Sequence, residues 1–261
     1  MLAPMSFTLE PTALGSHTDI GGILYTGKAG FVDLGHVRDI ADLTGFVYQQ
    51  IHGASGARGT SITTIEGTAQ LTRALAQSEW LEVARSIAFD DALAHEISSW
   101  SNGRCGDIIP RPGGHNSSFS PEDLPSNFLG TLVADRALRA GGTFATEVER
   151  QISILLTSLD VQSKAETQRA FDIINGDWVD RSLTVVSNCF LRRRNFSATP
   201  KKAGHPRDAA TPAFVTAPFS VSSPLPYTYQ NASGFTRADF PAKIAAIQSE
   251  AQTLYGPRFA L

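Results

Sequence analysis

A mainly helical α+β fold is predicted for this chain: one domain of packed helices, a few short strands and an extended proline-rich C-terminal arm. Three observations support this. Several long segments space their apolar residues at helical intervals. Short β-branched and aromatic pieces, cut by glycines, lie between and before them. The composition, 42% apolar and 18% charged over 261 residues, is enough for a sizeable core. Residues 1–195 are assigned to the core, and residues 196–261 to an arm and terminal helix packed on it within the same domain.

The elements follow in order. "GGILYTGKAGFVDLG", residues 21–35, reads as short strands, and "HVRDIADLTGFVYQQI" turns to helical spacing. Asp33 can cap that helix, which puts His36 in its first turn, where the partial positive charge disfavours a protonated imidazole. "ITTIEGTAQLTRALAQ" suggests a short strand and then a helix, and Ser78 to Trp100 a longer helix. The polar, glycine-rich "SNGRCGDIIPRPGGHNSSF" is long enough for a lid or a surface excursion.

"SPEDLPSNFLGTLVADRALRAGG" predicts a helix capped by Ser120, with Pro121 at its first position and a stop at Gly141 and Gly142. "ATEVERQISILLTSL" and "SKAETQRAFDIINGDWV" predict two more helices, and "LTVVSNCFLRRRNF" a strand. Residues 196 to about 235 hold six of the fourteen prolines together with Phe214, Phe219, Tyr227 and Tyr229. Aromatics in such an arm need a surface to cover. "TRADFPAKIAAIQSEAQTLYG" closes with a helix.

A net charge of −3 argues against nucleic acid as a partner. No run of eighteen apolar residues predicts a membrane span. The N-terminal "MLAPMSFTLEPTALG" lacks the basic start and apolar run of a signal peptide. Together with two cysteines, Cys105 and Cys189, read as reduced thiols, it predicts a cytoplasmic protein.

Four ionisable residues sit in the helical stretch "AFDDALAHEISSW": Asp90, Asp91, His95 and Glu96. At 100° per residue Glu96 falls on the apolar stripe with Phe89, Ala92, Leu93 and Trp100, so its carboxylate needs a partner or a raised pKa. Asp91 lies one turn before His95, at a spacing that lets a carboxylate orient an imidazole. His36 aligns with Ile40, Leu43 and Val47 and also faces a core. Two such helices can bring His36 and Glu96 together as acid and base or as metal ligands, with His95 and Asp91 as a second pair.

Structural explanations stand beside these. A buried histidine is often satisfied by a backbone carbonyl. Asp90 and Glu82 are expected to be solvated or paired with Arg85. Glu122 and Asp123 suit the first turn of a capped helix, and Trp100 suits packing as well as substrate stacking. Arg192, Arg193 and Arg194 read as a protected strand edge or as an anion clamp. His17 and His115 lie in loops. The zinc-peptidase helix motif, the glycine-rich phosphate loop and the nucleophile elbow are all missing.

In combination, "YTGKAGFVDLGHVRDIADLT", "HEISSW", "SSFSPEDLPSNFLGT" and "FLRRRNF" resemble a bacterial family known only as domain of unknown function 4056. The resemblance implies that His36, Glu96, Trp100, Glu122, Asp123 and Asn127 are positions to suspect. It raises Glu122 and Asp123 from caps toward ligands.

The expectation is therefore an enzyme, hydrolase or lyase, doing acid–base chemistry on a small molecule in a helix-lined pocket. Its catalytic candidates are His36, Glu96, His95 and Asp91; its substrate-binding candidates are Trp100, Asn127 and Arg193. A divalent metal is the cofactor that His36, Glu96, Glu122 and Asp123 could hold. Two alternatives remain. One is a cyclase-like lyase, with "DDALAHE" for magnesium and the arginines for a prenyl diphosphate. The other is a non-catalytic binding or scaffold protein whose buried polar groups form a satisfied network.

Overall fold

The glycine-cut strands at the start of the chain form an antiparallel hairpin of β1 (Ile23–Thr26) and β2 (Gly30–Asp33), with Thr26 opposite Gly30. The computed structural model describes residues 22–101, 118–175, 194–196, 221 and 223–255. Asp33 ends β2 and caps α1 (Leu34–Gly53), its carboxylate accepting the N–H groups of Gly35 and His36. Of the stripe predicted for this helix, Ile40 and Val47 are buried and His36 and Leu43 half-buried, and the buried face extends to Val37, Ala41 and Ile51.

The next segment departs from expectation. Residues 61–71 fold as a hairpin of β3 (Ser61–Thr63) and β4 (Gly67–Leu71), and no helix follows until a short 3₁₀ turn at Gln77–Glu79 leads into α2 (Trp80–Ser101). Residues 67–71 also carry a period of two: Ala69 and Leu71 are buried, Thr68 and Gln70 are not. That period prevails because a distant strand, β5 (Tyr227–Asn231), takes the other edge of β4, giving the order β3-β4-β5. Pairing on both edges outweighs local helix propensity.

The third long helix also starts later than predicted. Ser120 and Pro121 precede α3 (Asp123–Ala140), whose N-cap is Glu122. Pro125 gives the reason. In a helix begun at Pro121, Pro125 would reach the fifth position, where its ring clashes with the carbonyl four residues back. Starting at Asp123 keeps Pro125 in the first turn, where its missing N–H costs nothing. The predicted stop holds: Gly141 adopts the left-handed conformation with φ of 76°. Then follow α4 (Phe144–Ser158), α5 (Lys164–Ile174), begun by the Ser163 hydroxyl on the Glu166 N–H, and α6 (Phe240–Tyr255).

Helix α2 is the centre. Every residue from Val83 to Ala94 is buried, so this segment has no wet face and its acidic residues are carried into the interior whichever way they point. One side packs on α1 and α3, the other on the three-stranded sheet and α6. Helices α1 and α3 approach closely: a Cβ at Gly130 would lie 2.5 Å from the Val37 carbonyl oxygen and 3.0 Å from Ile40 Cβ. Both helices begin at the same end of the molecule, where the Asp33 N–H donates to Ser126 Oγ at 2.9 Å.

Tyr227 and Tyr229 of the predicted arm are buried in β5. Phe214, Phe219, the predicted strand before Arg194, the loop between Ser101 and Ser118, both cysteines, His17 and His115 lie outside the described residues. Among the described residues no helix is long and apolar enough to cross a membrane.

Candidate functional site

Three helices bring the principal candidates together. His36, in the first turn of α1, places Nδ1 2.9 Å from Asn127 Oδ1 and Nε2 3.6 Å from Asp123 Oδ1, both residues on the first turns of α3. Asp123 and Asn127 are each 2% exposed, whereas the His36 side chain keeps 29% of its surface open. The imidazole thus joins a buried acid to the outside.

Glu96 of α2 completes the cluster. Its carboxylate accepts the backbone N–H of Phe119 and lies within electrostatic reach of both His36 and Asp123. Phe119 sits at φ of +57°, a left-handed conformation costing roughly 1–2 kcal/mol for a residue with a Cβ. Its N–H on Glu96 and its carbonyl on the Asn195 N–H, at 2.8 Å, hold it there. The Ser118 hydroxyl donates to the Glu96 carbonyl at 2.7 Å, and the Arg194 guanidinium donates to the Ser118 carbonyl.

Burial sets the electrostatics. Loss of water pushes the carboxyl groups of Glu96 and Glu122 above the usual range, with the nearby His36 opposing the rise in both. Asp123 is pushed well above the usual range, first by burial and then by repulsion from Glu96, Glu122 and Asp33. Carboxyl groups so placed hold protons at a pH where exposed acids have lost them. Beside a partly open imidazole, this arrangement can exchange protons with a bound molecule.

The second expected pair does not form. Asp91 accepts from the Thr64 hydroxyl, the Tyr229 hydroxyl at 2.6 Å and the Glu66 N–H at 3.3 Å, all on or beside the three-stranded sheet. His95 is exposed, and its Nδ1 lies 2.7 Å from Glu66 Oε1 instead. A one-turn offset on α2 is not enough for pairing when the sheet offers Asp91 better donors. Asp90, expected at the surface or on Arg85, is buried and bonded to Tyr227 at 2.7 Å and to Arg237 at 2.7 Å, while Arg85 pairs with Glu82. The aspartates on which the cyclase alternative rests thus serve the junction between α2 and β5.

Trp100 lies in the core at 3% exposure, its indole N–H donating to Glu250 Oε2 at 3.1 Å and the Arg194 guanidinium lying 5.4 Å above its ring. That is a packing position. Arg192 and Arg193 lie outside the described residues. Arg194 is 1% exposed and adjoins the site through Ser118. Nothing in three consecutive arginines says which one turns inward, and Ser118 and Phe119 carried no signal beyond their place before a helix. Among the described residues no three His, Cys, Asp or Glu side chains are gathered so as to hold a metal ion. The predicted ligands His36, Glu96, Glu122 and Asp123 share a neighbourhood without forming a cage.

The fold and this cluster together define a helical α+β protein with a carboxylate–imidazole centre where two helix N-termini meet the middle helix. The chain belongs to the family described as "Protein of unknown function (DUF4056)", whose model matches residues 4–207. Neither the curated proteins nor the solved structures offer a match.

Proposed function

We propose that the protein is an enzyme that moves protons on a small molecule, with His36 as base and the buried Glu96 and Asp123 carboxyl groups as the proton store. The observation that carries this is the His36 ring, held by Asn127 on one side, facing a buried acid on the other, and still partly open to solvent. A histidine set among buried carboxyl groups and still partly open to solvent is placed to pass protons between them and a bound molecule. The reaction read from it is a hydrolysis or a lyase-type elimination, two of the classes that such a pair can run. A small metabolite of the cytoplasm suits the modest net charge.

The test is a panel of chromogenic ester, amide, phosphoester and glycoside substrates, and of β-eliminating small molecules, run on the full chain. Any turnover found should fall at least about 100-fold, the usual worth of a general acid or base, in Glu96→Gln and in His36→Gln. Turnover that survives both changes rules the proposal out. Ligand binding without turnover across the panel favours a non-catalytic binding protein.

A further inference from the structure

Asn127 and His36 meet because α1 and α3 are locked side by side. Gly130, one turn beyond Asn127, abuts the Val37 carbonyl, and Ser126 accepts the Asp33 N–H. The amide and the ring, 2.9 Å apart, therefore have little freedom to avoid each other. An imidazole nitrogen facing an amide is a donor or an acceptor according to the tautomer, and the amide is a donor or an acceptor according to its rotation. Two consistent arrangements exist. Either Nδ1 carries the proton and Asn127 Oδ1 accepts it, or the amide NH₂ donates to a bare Nδ1 and the proton sits on Nε2.

The placement of the amide decides between them: Asn127 presents Oδ1, which can only accept, to Nδ1 at 2.9 Å, so Nδ1 is the nitrogen that donates. Nε2, at the other end of the ring, lies 3.6 Å from Asp123 Oδ1. We infer that Asn127 is a positioning residue that holds His36 with its proton on Nδ1, so that the bare Nε2, on the side of Asp123, is the basic nitrogen. This rests on the acid–base function proposed above and specifies which atom accepts the proton. Asn127, a substrate-binding candidate on sequence grounds, then acts through the histidine rather than on the substrate.

The experiment is a long-range ¹H–¹⁵N correlation spectrum of the full chain with ¹⁵N-labelled histidine at neutral pH. The His36 signals are assigned by their loss in His36→Gln. The wild-type protein should give the pattern of a neutral ring protonated at Nδ1. Asn127→Ala should shift the tautomer ratio toward Nε2–H by about fivefold to tenfold, the worth of one net hydrogen bond. A wild-type ring protonated at Nε2, or an unchanged ratio in Asn127→Ala, overturns the inference. If Asn127→Ala does not fold, the wild-type spectrum decides it alone. The two claims fail separately: Nδ1–H with turnover intact in His36→Gln removes the enzymatic function and leaves the tautomer, whereas Nε2–H with turnover lost does the reverse.

Discussion

Helix α2 carries buried acids toward two neighbours, and the two sides treat them differently. Toward the sheet, Asp90 and Asp91 meet donors: Tyr227, Tyr229, Thr64, the Glu66 N–H and the Arg237 guanidinium. The Ser86 hydroxyl extends the chain to Tyr227 at 2.6 Å. Toward α1 and α3, Glu96 meets one backbone N–H, a histidine and another carboxyl group. Burial raises the carboxyl pKa on both sides; for Asp90 and Asp91 the causes that follow burial are chiefly the opposing hydroxyl and guanidinium donors, whereas for Asp123 they are three neighbouring acids that add to the rise. A buried acid is therefore not a site in itself. Where its neighbours donate, it fastens elements together; where they also carry carboxyl groups, the protein is storing a proton or awaiting a ligand.

The largest expected effect breaks the fastening side. Asp90→Ala leaves the Tyr227 hydroxyl without its acceptor and Arg237 without its partner, and should cost about 3 kcal/mol, read as a lower urea midpoint. Tyr229→Phe removes one donor from Asp91 and should cost about 2 kcal/mol on the same measurement. On the site side, Gly130→Ala pushes a methyl group against the Val37 carbonyl and should cost a similar amount, about 2 kcal/mol, by forcing α1 and α3 apart.

The comparison is sharpest where the sign reverses. Asp123→Asn removes a carboxyl group from a repelling set, so stability should be unchanged or rise by up to about 1 kcal/mol while any turnover is lost. A loss as large as that of Asp90→Ala would place Asp123 with the fastening acids and remove the distinction between the two sides.

A pH-dependent effect concerns Asp42 on α1. Burial first, and then the neighbouring Asp39, push its carboxyl from 3.8 up to about 7, with Arg38 opposing the rise. The folded state thus binds this proton more tightly than the unfolded chain. The contribution is complete below about pH 4 and is lost as the pH rises through about 7. Asp42→Asn should flatten that part of the stability–pH curve, measured by thermal melts across the range.

Local signals in the sequence located most of the helices. Asp33 announced a cap and Gly141 a stop, and the apolar spacing marked α1 and α2 as helices with buried faces. The same spacing put Glu96 inside and His36 toward a core, because helical side-chain direction is fixed by the backbone alone. Partners were not legible. The strand β4 was masked by a competing helical period until β5 supplied its other edge, and α3 began late because two prolines four residues apart cannot both lie inside one helix.

What the sequence determined alone was where the long helices run and that Glu96 lies inside, since both follow from interactions within a few turns. Only the tertiary structure decided which acids are satisfied. Tyr227, Tyr229 and Arg237 reach Asp90 and Asp91 from far along the chain, and Asn127 and Asp123 reach His36 from another helix. The energy of a buried charge depends on what stands opposite it, and no periodicity within one segment encodes that.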